Sequence, residues 1–331
     1  PVEINNKLTR NSVEDMKIYL NSKGVFNAKV KDSLTLVRRW YAPWTTYKKR
    51  RNVVYKVEIP SRYKVNNFSL FAKNNSLKKE IISLKYLNKV KKGDYYDEDI
   101  LKEIRTEVAA DLRSKGYFAF NESYIEFAID TNLKSNALNI EMIVNPPYKM
   151  ENDTIVEHIH KPYKINKVFV YPDYYPSTSS LYTPPIDTSI VFHQHQKKSK
   201  GSVLYFIRSK KQSIKDKPIA RSILLQKGNL FSPTLAKNTF SALSQLQNFK
   251  YIDISFLPVE TKTQEDTLSL DCLIRLSMAK PINLTSSFEF NFSNANNSLN
   301  IQNTSTLGSE LNFGFSHNNL FKGAEIFSTN I

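Results

Sequence analysis

Two histidine pairs spaced i, i+2 are the residues whose types and spacing most suggest chemistry: His158/His160 and His193/His195. On a strand, residues two apart face the same way, so either pair could share a metal ion. Neither pair has a third ligand close in sequence, and both lie in linker-like stretches, so solvated loop histidines are the expected state. No metal or other cofactor is expected. The acidic pairs Asp97/Asp99 and Glu265/Asp266 fall at a helix start and a hairpin turn, where capping or solvation accounts for them. Cys272, the single cysteine, alternates with the apolar residues of a strand and reads as a buried, inert thiol. One cysteine excludes a disulfide framework and a cysteine-based zinc site. The chain has no Gly-x-Ser-x-Gly elbow, no Gly-x-x-x-x-Gly-Lys loop and no His-Glu-x-x-His helix. An enzyme is not expected.

A second candidate mixes cations with aromatics. Arg38-Arg39-Trp40-Tyr41-Ala42-Pro43-Trp44 is followed by Lys48-Lys49-Arg50-Arg51. Such interleaving can stack on single-stranded nucleic acid and contact its phosphates. It can equally sit at anionic lipid headgroups, where each basic residue near the surface contributes about 1 kcal/mol. The plain reading is a solvated loop between two strands. The functional one is lipid or partner contact through Arg38, Arg39, Trp40, Trp44, Lys48 and Arg50. The net charge of +16 permits all of these and selects none. Nucleic acid is not the expected partner. His317 is a further candidate interface residue.

These residues sit on a repeated framework. The clearest copy opens with Val65, Phe68, Leu70 and Phe71, followed by a short amphipathic helix near Lys78–Leu87 and the turn Lys92-Gly93-Asp94-Tyr95. Ile100, Ile104, Val108 and Leu112 then recur along one face of a long helix. Asp97 can cap its start and Gly116 can supply the left-handed residue past its end. Ile125, Phe127 and Ile129 alternate with polar neighbours, and Leu138, Ile140, Met142 and Val144 return as a second strand, stopped by Pro146-Pro147. The order is β-α-α-β-β.

Downstream, Tyr163, Ile165, Val168 and Val170 open another copy. A short helix at Ile219–Leu225 and the turn Lys227-Gly228-Asn229-Leu230 follow. Ser232-Pro233 starts a second helix, and two strands run through Ile252, Ile254, Phe256 and through Leu268, Leu270, Cys272, Ile274, Leu276. An earlier, partial copy has Ser12-x-x-Asp15 as a capping box, a stripe of Val13, Met16 and Leu20, and a closing strand of Val53, Tyr55, Val57 and Ile59. Its opening strand is not evident, so the chain is expected to start inside a domain, or its leader has been removed.

Each unit is expected to be a three-stranded sheet with one face under two helices. The edges of such sheets carry unpaired backbone donors and acceptors, which suit pairing with an extended partner. The edges in question carry Ile125, Phe127, Ile129, Ile252, Ile254 and Phe256. The boundaries are 1–61 for the partial unit, 62–148 for the next, and 162–280 for the last, which holds a Pro/Ser/Tyr-rich insertion at 172–202 of open role.

After Pro281 the helical pattern stops. Phe288, Phe290 and Phe292 alternate with Glu289, Asn291 and Ser293, and Leu311, Phe313 and Phe315 with Asn312, Gly314 and Ser316. A third run begins at Ala324. No stretch reaches the roughly 20 apolar residues of a membrane helix, whereas strands of about 9–11 residues suffice to span as a barrel. An amphipathic hairpin on a soluble domain would show the same alternation.

The stretch Asn318-Asn319-Leu320-Phe321-Lys322-Gly323-Ala324-Glu325, with Leu307-Gly308-Ser309-Glu310 before it, resembles the start of the barrel in BamA/TamA-type outer-membrane assembly factors. Lys227–Ser232 with Leu246-Gln247-Asn248-Phe249 is similar to the last POTRA domain of those proteins. Lys115–Phe120 with Tyr124–Phe127 and Asp130-Thr131 is similar to the preceding POTRA domain of the TamL-like branch. The resemblance covers nearly the whole chain, less closely before Arg62. It implies an α+β chain of tandem POTRA domains leading into the first strands of a transmembrane antiparallel β-barrel at 281–331. It implies that the POTRA domains stand in the periplasm, at the outer membrane, and receive unfolded outer-membrane proteins or a periplasmic or inner-membrane partner subunit. Leu284–Ser293, with Phe288, Phe290 and Phe292, would then be the first barrel strand, whose edge templates a client at a lateral gate in contact with outer-membrane lipid. The alternative is a scaffold that spans the periplasm and binds one fixed envelope partner, for lipid transport or envelope organisation.

Overall fold

The computed structural model describes residues 6–36, 51–131, 136–151, 153–174, 187–193, 202–208, 212–259, 267–295 and 304–331. The chain forms two compact units. The first comprises Pro1–Arg113 and Ala119–His160, the second Ser114–Phe118 and Lys161–Ile331.

The first unit begins with helix α1 (Asn6–Ser22) and the antiparallel hairpin β1 (Lys29–Leu36) and β2 (Arg51–Glu58). Val13, Val25 and Val30 are its buried apolar side chains, with Thr9 also buried on the helix. Ser12 lies inside α1 rather than at its start, and its hydroxyl donates back to the Leu8 carbonyl at 3.0 Å. A serine can satisfy itself on its own helix in this way, so it marks no cap here.

A complete β-α-α-β-β module follows. It consists of β3 (Lys64–Ala72), α2 (Asn75–Ile82), a 3-10 turn at Lys85–Lys89, α3 (Glu98–Ser114), β4 (Ile125–Asp130) and β5 (Ala137–Val144). The caps are those that the residue types favour. Asn74 accepts from the amides of Ser76 and Leu77, and Asp97 accepts from the amide of Asp99 at 3.0 Å. The inner face of α3 is Leu101, Ile104, Val108 and Leu112, all buried, whereas Ile100 at its rim is half-buried. The sheet order is β3-β5-β4, with β5 parallel to β3 and antiparallel to β4. The central strand buries Leu138, Ile140, Met142 and Val144, every second residue, against the helices. Pro146-Pro147 does not end the structure. A two-stranded hairpin, β6 (Tyr148–Glu151) and β7 (Thr154–Glu157), comes directly after it.

The second unit corrects the expected three-stranded sheet of the last module. Its strands are β8 (Tyr163–Tyr171), β9 (Asp187–His193), β10 (Ser202–Arg208), β11 (Phe249–Val259) and β12 (Leu268–Met278), in the order β11-β12-β8-β10-β9. The described end of the insertion and the residues after it fold back as the hairpin β9–β10, which adds β10 parallel to β8. Leu204 and Phe206 explain the addition, because burying them in the main core removes apolar surface from water. Helix α4 runs Asp216–Ser222, slightly earlier than expected, and Ile223 and Leu225 enter the core beyond its end. Helix α5 (Pro233–Gln245) starts as its sequence indicates, with the Ser232 hydroxyl accepting from the Leu235 amide and Pro233 in the first turn.

A separate antiparallel sheet closes the chain: β13 (Ile282–Ala295), β14 (Thr304–Asn318) and β15 (Ile326–Asn330), in that order. Among the described residues no helix is long and apolar enough to cross a membrane.

Candidate docking edges and module joints

A short loop repeats at the joints. In the first unit Lys23-Gly24-Val25-Phe26 follows α1, with Gly24 at φ 81°. The Gly24 carbonyl accepts the amide of Tyr63 at 2.9 Å, and Phe26 packs on Tyr63 and Tyr96 at 5.1 and 5.5 Å between ring centroids. In the second unit Lys115-Gly116-Tyr117-Phe118 does the same work, with Gly116 at φ 105°. Its carbonyl accepts the amide of Tyr163 at 2.8 Å, and Phe118 packs on Tyr163 and Phe231 at 5.6 and 4.9 Å. Each joint thus ties a left-handed residue and an aromatic to the opening strand of a module. The first joint adds charge, since Lys23 bridges Asp97 and Asp99, each at 2.8 Å. Hydrogen bonds from Lys23, first to Asp97 and then to Asp99, raise the ammonium pKa above its usual range. Asp97 therefore serves both the cap of α3 and the joint.

The turns within the modules repeat as well. Gly93 donates to Val65 and Gly228 to Ile165, both at 2.7 Å, and Tyr95 and Leu230 form single bridges to Lys64 and Lys164. These bridges occupy the outer rim of β3 and β8 at their starts. Among the described residues β4, β11 and β9 have a strand partner on one side only.

The side chains chosen from sequence on two of these edges face inward. Ile125 is buried, and Phe127 lies against Phe68 at 6.5 Å with the Arg105 guanidinium 5.4 Å from its ring. Ile252, Ile254 and Phe256 pack onto the main core, with Phe256 5.1 Å from Phe231. Of the six, Ile129 is exposed. A strand added to β4 or β11 would therefore meet backbone, and its side chains would lie beside residues such as Ile129, Tyr251 and Leu257. Edge β11 is also partly guarded. Pro258 offers no amide, and Asp253 is tied to Arg275 at 2.7 Å.

Edge β9 was not anticipated. Its Ile190 and Phe192 are 71% and 68% exposed on one face, and Ile190, Tyr205, Phe169 and Leu273 are successive partners across four strands of the sheet. The hairpin is anchored by Arg208, which is buried, pairs with Asp216 and donates to Ser189 at 3.1 Å. Burial lowers the guanidinium pKa, and Asp187 and Asp173 oppose that shift. The available signal was Leu204, Phe206 and Arg208 at i, i+2, i+4, but the ion pairs lie far apart in sequence.

The closing sheet has two unlike faces. Ile282, Leu284, Phe288, Phe290 and Phe292 stand in register with His317, Phe315, Leu311, Ser309 and Leu307 on one face. Asn283, Thr285, Ser287, Glu289 and Asn291 face Ser316, Gly314, Asn312, Glu310 and Gly308 on the other. Leu284, Phe288, Phe290, Leu307, Leu311 and Phe313 are all exposed. The side chain of Phe292 lies outside the described set. At 14 and 15 residues, β13 and β14 are longer than the roughly 9–11 that cross a bilayer. β13 is an edge, with β14 on its one paired side.

The turn between β14 and β15 is internally knotted. The Glu325 carboxylate accepts from the amides of Phe321 and Gly323 at 3.1–3.2 Å, and the Asn319 side-chain oxygen accepts from the Ala324 amide at 3.2 Å. Asn319, Lys322 and Ala324 all have left-handed backbones, at φ 68°, 62° and 66°. Hydrogen bonds from its own amide and from those of Gly323 and Phe321 hold the Glu325 carboxyl below the usual carboxylate range.

The remaining candidates divide. His160 is a correction, because it is buried rather than solvated. It packs against Phe120 and Tyr124 at 4.9 and 4.7 Å and reaches the Asn145 carbonyl at 2.9 Å. Among the described residues no group of three or more His, Cys, Asp or Glu is placed to hold a metal. Cys272 is fully buried, and burial pushes its thiol up to about 12. Arg38, Arg39, Trp40, Trp44, Lys48 and Arg50, together with His195 and Glu265/Asp266, lie outside the described residues.

No protein family and no curated protein matches the sequence. Solved structures do show similarity. BamA from Haemophilus ducreyi lacking POTRA domains 1–3 aligns at 12% identity and a TM-score of 0.47, over 81% of this chain and 37% of that one. POTRA3–5 of Haemophilus influenzae BamA aligns at 11% identity and 0.39, over 81% and 80% of the two chains. CdiB from Escherichia coli aligns at 8% and 0.28, over 99% and 44%. This chain thus spans less than half the length of the Haemophilus ducreyi BamA structure and of the CdiB structure. With these TM-scores below 0.5, the tandem α+β modules and the closing sheet rest on the chain's own strand pairing.

Proposed function

We propose that this chain is the periplasmic and barrel-entry part of a non-enzymatic factor that assembles or translocates outer-membrane proteins, TamL-like in its sequence motifs. The observation that carries this reading is the closing sheet, in which an exposed apolar face and a polar face end at the edge strand β13. A strand so built can stay apolar toward lipid and present its unpaired backbone to an incoming strand. In this reading the module edges β4 and β11 hold extended clients through backbone hydrogen bonds. The client's own strand pairing and burial in lipid then drive insertion, and no nucleotide is consumed. The modules stand in the periplasm and the barrel in the outer membrane.

Depletion of the full-length protein tests this directly. The surface abundance of other barrel proteins should fall, and unchanged abundance with a normal envelope would sink the proposal. A second reading, a scaffold for one fixed envelope partner, is favoured by exposed Ile190 and Phe192 on the inserted hairpin. Photo-crosslinkers at Ile190 and Ile129 separate the two. Many barrel proteins captured at Ile129 supports assembly, and one constant product at Ile190 supports the scaffold.

A further inference from the structure

The turn Asn318–Glu325 is more than a connection between two strands, because it is bound to the last module at several points. The Lys215 amide donates to the Lys322 carbonyl at 2.8 Å, and the Asn319 side-chain amide donates to the Ser213 carbonyl at 2.8 Å. The Lys322 ammonium reaches the Gln212 carbonyl at 3.3 Å. Ala324 packs against the main hydrophobic core of the module. At its start, Asn318 donates through its backbone to Pro281 at 2.7 Å and through its side chain to the Gln247 carbonyl at 3.1 Å.

That last contact repeats the joints already described. Gln247 follows α5 as Gly24 follows α1 and Gly116 follows α3, and like them it has a left-handed backbone, at φ 53°. In the two earlier joints the carbonyl of this residue accepts the opening amide of a module. In the third it accepts Asn318.

We propose that Asn318–Glu325 is a latch that occupies, on the last module, the position a further module would take, and that it thereby fixes where edge strand β13 stands. The mechanical argument is short. The closing sheet is joined covalently to the module only through Ala279–Pro281, and one tether of that kind leaves a hinge. The latch adds a second attachment, at Gln212–Lys215, on the far side of β14 from β13. Two separated attachments remove the rotation that one permits. The internal knot at Glu325 preforms the turn, so little ordering remains to be done when it docks. The consequence for clients rests on the function proposed above, whereas the docking itself does not.

The test uses the full-length protein in outer-membrane vesicles, with Asn318→Ala and the conservative Glu325→Gln as unlatching variants. Lys215→Cys with Lys322→Cys, joined by a disulfide, is the lock, and Cys272 is too deeply buried to interfere. Amide exchange across 319–325 should rise about tenfold or more in both variants, while exchange in β12 stays as in the parent. Insertion of barrel clients should fall severalfold, and the lock introduced into Asn318→Ala should restore both readouts. Unchanged exchange at the turn in both variants overturns the latch. Raised exchange with undiminished insertion, or a lock that restores exchange without insertion, overturns its positioning role. If the parent inserts no clients, the function proposed above fails while the exchange arm still decides the latch. A variant whose β12 exchange also rises has lost its fold, and the other then decides.

Discussion

Asn318 donates its side-chain amide to the carbonyl of Gln247 across 3.1 Å, and Gln247 holds a left-handed backbone to receive it. Two glycines do the same at the other joints. A left-handed backbone costs an ordinary L-residue roughly 1–2 kcal/mol and costs glycine almost nothing. The third joint therefore carries strain that the first two avoid.

That asymmetry gives opposite expectations for similar substitutions. Gln247→Gly should stabilise the second unit by about 0.5–1 kcal/mol, net of the greater freedom glycine gives the unfolded chain. Gly24→Ala should destabilise the first unit by about 2 kcal/mol or more, since its Cβ would sit 3.0 Å from the Tyr96 Cβ at φ 81°. Gly116→Ala, with 3.3 Å to Leu230 and Pro162, should cost somewhat less. Urea unfolding of the three variants checks the signs.

His160 makes the first unit acid-sensitive. Burial lowers its pKa, and the hydrogen bond to Asn145 opposes the shift. A lowered histidine binds fewer protons folded than unfolded, so its contribution is present above the unfolded value of about 6.5 and is lost as pH falls toward the folded one. His160→Gln should flatten the stability of the first unit between pH 7 and pH 5. Denaturant midpoints at both pH values measure it.

Cys272 should resist thiol reagents while the chain is folded. With the thiol pushed up to about 12, the thiolate is scarce at pH 8, and the side chain is inaccessible as well. Labelling should follow global unfolding. Rapid modification in the native state would show that β12 opens locally.

The elements legible in the sequence are those whose partners lie close by or whose period is strict. Ile104, Val108 and Leu112 fixed a helix face because a 3.6-residue repeat leaves one stripe to bury, and Leu138–Val144 fixed a strand by alternation. The hairpin β9–β10 was hidden, because β10 joins β8 in parallel across an insertion and no local turn announces it. Ser12 misled, since a helix-interior serine and a cap look alike until the hydroxyl's acceptor is known. At the candidate edges, sequence named the strands, but the inward direction of Ile125, Phe127 and Phe256 depends on which face the helices cover. The third joint was hidden for a similar reason. Nothing in Gln247 announces a left-handed residue, and its partner Asn318 is 71 positions away.

The closing sheet supplies the sharpest contrast between neighbouring positions. Phe288 belongs to the exposed apolar face and Glu289 to the opposite one, where it stands directly across from Glu310. If the apolar face meets lipid, Phe288→Arg places a charge in hydrocarbon and should destabilise the membrane-inserted full-length protein by about 2–4 kcal/mol. Glu289→Gln should be neutral or stabilising by a few tenths of a kcal/mol, because it removes one of two like charges paired across strands. In a water-exposed hairpin Phe288→Arg would be mild instead, since the ring is already 56% exposed. Guanidinium unfolding in lipid vesicles distinguishes the two cases. A large penalty at Phe288 with none at Glu289 assigns the aromatic face to the bilayer, and equal small effects at both positions place the sheet in water.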